Sequence, residues 1–334
     1  MSSGRVIGLE AAVAATLREF GAEHPQTLEA RVRLALGYRE DERDEDALIE
    51  LEEVVVVRDH VLGPDHPDTL SARHELALTY FHVGIGNGDA PLPDAIGAMK
   101  RVAEGRARVL GTAHPDTLAS WASLTFLYDR GRQRDEIPAL RQRIALGWEQ
   151  IVAEREQWLG PDEPDTQFAR IRLAAAWEDV GRKQDRVTLL ERVIASWGRL
   201  AAERERQLGP MHPDTVYARE RHAYCHRWVG RTDDEVSLLE QIAADHQRLL
   251  GPTHPRTLHA QVQLAARYSE GGHDVAQSIA LGERIIGDVR ALLGAEHDDL
   301  RRLRGTLIVG YAMTGRSNDA LALAARYPMS DDPP

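Results

Sequence analysis

The chain has 334 residues and a formal net charge of −12, from 41 Lys+Arg against 53 Asp+Glu, which disfavours phosphate backbones and anionic membrane surfaces as partners. Its single cysteine, Cys225, excludes an intramolecular disulfide and a cysteine-built structural zinc, and fits a reducing, cytoplasmic setting. No run approaches the roughly 18 apolar residues of a spanning helix, and Arg5, Glu10, Arg18 and Glu19 interrupt the N-terminal stretch where a signal peptide needs a continuous apolar core.

Taken in chain order, residues 5–20 read as a lone amphipathic helix, an N-terminal cap. One phrase then recurs: FGAEHPQTL at Phe20, LGPDHPDTL at Leu62, LGTAHPDTL at Leu110, LGPDEPDTQ at Leu159, LGPMHPDTV at Leu208, LGPTHPRTL at Leu250 and LGAEHDDLR at Leu293. The histidine position falls at His24, His66, His114, Glu163, His212, His254 and His297, in steps of 42, 48, 49, 49, 42 and 43. Such a period marks a repeat array, so length alone does not set the domain count.

Ten residues after the histidine position comes Leu34, Leu76, Leu124, Leu173, Leu264 or Leu307, and at fourteen Tyr38, Tyr80, Tyr128, Trp177, Tyr268 or Tyr311. Those spacings put the side chains on one stripe of a helix, here named helix A. Pro25, Pro67, Pro115, Pro164, Pro213 and Pro255 suit its first turn, and Gly84, Gly131, Gly181, Gly230, Gly272 and Gly315 suit a left-handed stop. A second amphipathic run comes next, such as DDEVSLLEQIAADHQRLLG from Asp233, and is named helix B. Two antiparallel helices per unit cannot bury their stripes alone, so the units stack into an all-α solenoid: residues 21–316 form the array, 317–334 a C-terminal capping helix and tail, and 1–334 a single solenoid.

Three central steps are long. GIGNGDAPLP in the second unit reads as a loop, whereas the third and fourth units lengthen helix B by about seven residues, or two turns, which keeps the apolar stripe in phase. The acidic run REDERDEDALIELEE from Arg39 reads as a solvated face near one end, where a basic partner would dock. In the fifth unit the core Leu becomes His222 and the core aromatic His226, beside Cys225; on one helical face these three are weak candidates for a metal site, against the commoner outcome of histidines that bond locally. The HPDT histidines read as turn residues, each in its own unit. There is no GxSxG elbow, phosphate loop or GxGxxG, so neither enzyme nor cofactor is expected.

LGxxHPDTLxAR followed by LAxxY and a Gly resembles the 42-residue tetratricopeptide repeat of kinesin light chains and of actinobacterial signalling ATPases, over residues 20 to 326. The resemblance implies a right-handed superhelix whose inner, A-helix wall holds a protein or peptide. Mapped onto this chain, it points to Phe81, His82, Phe168, Tyr217, Tyr224, Arg227 and Trp228 as ligand-binding residues. The Asn-Asn pair common in related arrays is replaced here by pairs such as His74-Glu75 and Glu220-Arg221, which shifts recognition from backbone amides to aromatic and arginine side chains. The leading expectation is therefore a cytoplasmic protein-binding adaptor. The alternatives are an enzyme or small-molecule sensor with a pocket lined by Phe168, Tyr217, His222, Tyr224 and Trp228, and a regulatory module acting with a separate signalling ATPase or transcription regulator. Oligomeric state is not legible.

Overall fold

The computed structural model describes residues 4–86, 92–270 and 274–328. Among them are fifteen α-helices and no strand. The helices are α1 (Gly4–Phe20), α2 (Pro25–Glu40), α3 (Asp44–Leu62), α4 (Pro67–Gly86), α5 (Leu92–Val109), α6 (Pro115–Arg130), α7 (Ile137–Trp158), α8 (Pro164–Asp179), α9 (Lys183–Leu208), α10 (Pro213–Arg227), α11 (Thr232–Leu250), α12 (Pro255–Ser269), α13 (Val275–Leu293), α14 (Asp298–Met313) and α15 (Ser317–Arg326). Even numbers are A helices and odd numbers B helices, with α1 and α15 at the two ends as the periodicity predicts. The long B helices are also present: α9 has 26 residues and α7 has 22, against 19 in α3, α11 and α13.

Six A helices begin on the proline of the repeated phrase. The histidine before it has a more definite role than a turn residue. In His24, His66, His114, His212, His254 and His297 the ring Nδ1 accepts the backbone N–H two residues on, at 3.1–3.3 Å. This N-cap satisfies a donor that the helix itself leaves open.

Glycine placement differs in part from expectation. Gly181, Gly230 and Gly315 take the left-handed conformation, but Gly84 is buried inside α4, and Gly131 has φ −77° while Arg132 turns left-handed instead. Gly272 lies outside the described residues. The loop expected at GIGNGDAPLP is also narrower than its composition suggests, because α4 runs through Gly86 and α5 starts at Leu92, with 87–91 outside the described residues. Glycines with positive φ occur systematically at another place, the Leu-Gly that ends each B helix, as at Gly63 (φ 91°) and Gly251 (φ 90°). A side chain there would be strained, which explains why the phrase keeps its glycine in every copy.

The chain forms two compact units, Met1–Gly160 with Phe168–Arg186, and Pro161–Gln167 with Val187–Pro334. In the first, Val6, Leu28, Leu34, Leu51 and Val54 make a continuous core. In the second, Leu258, Leu264, Ile285, Leu300, Leu303 and Leu307 do the same. Each fully buried Leu or Ile contributes about 1.5–3 kcal/mol of transfer free energy. Small residues let the helices close up: a Cβ on Gly282 of α13 would sit 2.7 Å from a methyl of Leu307 on α14.

The aromatic at position fourteen has a partner that its spacing alone does not reveal. Tyr38, Tyr80 and Tyr311 donate their hydroxyls to Glu10, Glu52 and Glu283, at 3.0, 3.0 and 2.8 Å, and Tyr268 donates to Glu240. Trp177 donates its indole N–H to Glu149 at 2.8 Å. In each of these five cases the acceptor lies 28 residues earlier, on the preceding B helix, so a charge-assisted bond ties each of these A helices to the B helix before it.

Candidate functional site

In the second unit the A helices α10, α12 and α14 expose their N-terminal halves side by side, and here the structure holds a cavity of about 430 Å³. Its apolar lining includes Pro213, Val216, Tyr217 and Leu293, and its polar lining includes Glu220, His246, Arg256, His259 and Asp299. The helix period explains the set: Val216, Tyr217 and Glu220 share a stripe of α10, and His259 occupies on α12 the register that Tyr217 occupies on α10.

Tyr217 is 43 % exposed and rests its edge on the buried Trp197 of α9, with ring centroids 5.9 Å apart. One turn further, Arg221 lies 5.4 Å from the Tyr217 ring and 5.1 Å from that of Tyr224, a cation between two aromatic faces. This stack orders the exposed tyrosine before anything binds.

The acid–base groups are coupled. His259 Nδ1 lies 2.9 and 3.0 Å from the two carboxylate oxygens of Asp299. That bond raises the His259 pKa despite partial burial. For Asp299 burial pushes the pKa up, but the His259 bond and the nearby His297 and Arg302 outweigh it and the net shift is downward. Glu220 is displaced the other way, its carboxyl raised by burial against the weaker pull of His259 and Arg221.

The remaining residues singled out from sequence fall in different places. Phe81 is buried, 7 % exposed, because its ring packs edge-on against Phe126 at 5.1 Å; it is part of the packing and is not presented to a ligand. His82 is exposed with its ring 5.7 Å from Phe81, and Phe168 is 39 % exposed; both belong to the first unit. In the second unit Tyr224 is half-buried against the core, Trp228 is partly exposed at the end of α10, and Arg227 pairs with Glu270 at 2.8 Å. His74, assigned to the ligand-facing wall by register, is buried instead and lies 3.2 Å from Ser120 Oγ and 3.4 Å from Arg106.

His222, Cys225 and His226 lie together on α10. His226 stands where other units have the aromatic, and the residue 28 positions earlier is Gly198 instead of glutamate. A Cβ on Gly198 would meet the His222 ring at 3.1 Å, so the glycine leaves room for the histidine that replaces the core leucine. The His222 and His226 ring centroids are 5.2 Å apart. Burial, with His226 nearby, lowers the His222 pKa, and burial pushes the Cys225 thiol up to about 12, which removes its nucleophilic form near neutrality. Among the described residues no group of three or more His, Cys, Asp or Glu is placed to hold a metal ion, and no helix is long and apolar enough to cross a membrane.

Residues 27–68 and 223–256 match the family model of the tetratricopeptide repeat. The chain carries tetratricopeptide repeats. Among solved structures it is similar to a kinesin-light-chain-type protein of Podosopora anserina with nearly identical TPR-like repeats, at 27–28 % identity over 68 % of this chain and 98 % of that one, with a TM-score of 0.43. It is also similar to BtubC of P. vanneervenii (16 % identity, 74 % of this chain and 96 % of that one, TM-score 0.36) and to the quorum sensor NprR of B. thuringiensis (12 %, 96 % and 81 %, TM-score 0.44). No curated protein matches the chain in sequence.

Proposed function

We propose that this tetratricopeptide-repeat chain is a non-catalytic adaptor that binds a protein or peptide segment, and that the segment is seated on the A-helix face of the second unit. The observation that carries this reading is the exposed Tyr217, held in place by Trp197 and Arg221 at the edge of an apolar-lined cavity with charged groups around it. Large aromatic side chains already ordered in the free protein bind at a low entropic cost and dominate interface energetics. Tyr224 and Trp228 continue the same helix toward its C-terminal end, and Arg227 lies between them in sequence.

Replacing Tyr217 with alanine is expected to weaken binding at least tenfold, about 1.4 kcal/mol, for peptides selected on the wild-type protein from a displayed library. The helical circular dichroism should be unchanged, since Tyr217 lies on the surface. Fluorescence anisotropy supplies the readout, and an affinity equal to that of the wild type would reject the seat.

A further inference from the structure

Five residues before the Leu-Gly glycine, successive B helices carry Arg58, Arg106, Arg155 and Arg204, and the second residue of the next A helix is Asp68, Asp116, Asp165 and Asp214. The two positions meet in space. Arg58 donates to the Asp68 carbonyl at 2.9 Å, Arg106 to the Asp116 carbonyl at 3.1 Å, and Arg204 to the Asp214 carboxylate at 2.9 Å. At these steps the arginine donates to the aspartate inside the protein, and the Arg–Asp pair carries no net formal charge.

At the step from α11 to α12 both members are exchanged. His246 stands in the arginine position and Arg256 in the aspartate position. The shorter imidazole lines the 430 Å³ cavity with Arg256. His246 is 3 % exposed, and neither its Nδ1 nor its Nε2 has a hydrogen-bond partner. A buried polar group in that condition is costly, and an incoming acceptor relieves it. Arg256 gives one bond, to the Met211 carbonyl at 3.4 Å, and makes no ion pair among the described residues.

The surrounding charges set the sign of the ligand. Asp299 is engaged by His259, and Arg219, the other cation near His246, is engaged by Asp245 at 2.8 Å. Glu220 is raised by burial and faces His259 and Arg221, whose charges act against its own. What the exchange adds is a guanidinium with no ion pair among the described residues, beside a buried imidazole with no hydrogen-bond partner. Accepting the peptide-binding reading above, we infer that the α11–α12 step is an anion subsite, which takes a carboxylate of the bound peptide on the Arg256 guanidinium and the His246 N–H.

The test restores the pair used elsewhere in the array. The double variant His246→Arg/Arg256→Asp recreates the Arg–Asp combination of the α3–α4, α5–α6 and α9–α10 steps, so it is compatible with the fold; Arg256→Asp alone serves if the double variant loses helicity. The probes are two arrayed random nonapeptide libraries, one with free C-termini and one amidated. The wild type should favour a carboxylate at least tenfold, read either as Asp/Glu peptides over their Asn/Gln counterparts in the amidated library or as free C-termini over amidated ones, and the double variant should lose that preference while still retaining apolar peptides. The first preference assigns the carboxylate to a side chain and the second assigns it to the terminus; either supports the subsite. Peptides held with neither preference, or a preference unchanged in the variant, overturn the subsite but leave peptide binding standing. If the wild type holds no peptide, both fall.

Discussion

Replacing Glu235 with alanine is expected to destabilise the second unit by about 3 kcal/mol, the low end of the range for breaking a buried ion pair. Glu235 lies in the first turn of α11 with no exposed surface, and its Oε2 is 2.9 Å from Arg267 Nε on α12. Burial raises the glutamate's pKa while Arg267 and Arg227 pull it back down, so the carboxylate depends on its cationic neighbours. Without it, Arg267 stays buried with only Glu270, which is itself half exposed, to balance it. The low end is expected because that one partner remains. The apolar pair Glu235→Leu/Arg267→Met should recover most of the loss, since neither charge is then left buried. Hydrogen exchange of the α11 and α12 amides reads the effect locally and avoids treating a two-unit chain as one cooperative transition. An E235A protein within about 0.5 kcal/mol of the wild type, the range of an ordinary surface substitution, would show that the pair does not hold these helices together.

In the first unit, acid should act through His74. Burial, with Arg106 and Arg39 nearby, lowers its pKa from 6.5 to about 4. The folded state therefore keeps the ring neutral while the unfolded chain takes up a proton. Above pH 6.5 the two states bind the same number of protons and no stability is at stake. As pH falls from 6.5 toward 4 the unfolded state gains the proton first, and stability is lost at up to about 1.4 kcal/mol per pH unit, reaching about 3 kcal/mol by pH 4. His74→Asn retains a group that can bond Ser120 but has nothing to titrate, so it should flatten the part of the slope that belongs to this site. Parallel hydrogen-exchange profiles of α4 and α6 at about pH 7 and about pH 4.5, either side of most of that loss, decide the matter; identical slopes in wild type and variant would clear His74 of the role.

Much of the fold was legible because each structural role was stated several times. Proline at the helix start, Leu and an aromatic ten and fourteen residues past the histidine position, and the two lengthened B helices all appear where the spacing puts them. What the sequence withheld depends on which helices touch. The glutamate 28 residues before Tyr38, Tyr80, Trp177, Tyr268 and Tyr311 is visible in the sequence, but its meaning requires knowing that the two helices pair. Phe81 and His74 had the right register for a ligand-facing wall and were nevertheless buried, because Phe126 and the Arg106–Ser120 pair cover them. The candidate site was half readable. Tyr217 followed from its register, whereas the exchange of Arg for His246 and Asp for Arg256 acquires significance only once the two positions are seen to meet across a helix boundary.

The central claim is that the ligand rests on the A-helix face of the second unit, and photo-cross-linking locates it directly. A photoreactive phenylalanine analogue is placed at Tyr217 on α10 in one protein and at Ser237, an exposed position on α11, in another, and each is irradiated with a library-selected peptide. Attachment at position 217 with none at 237 is the predicted result, and attachment at 237 with 217 silent would contradict it.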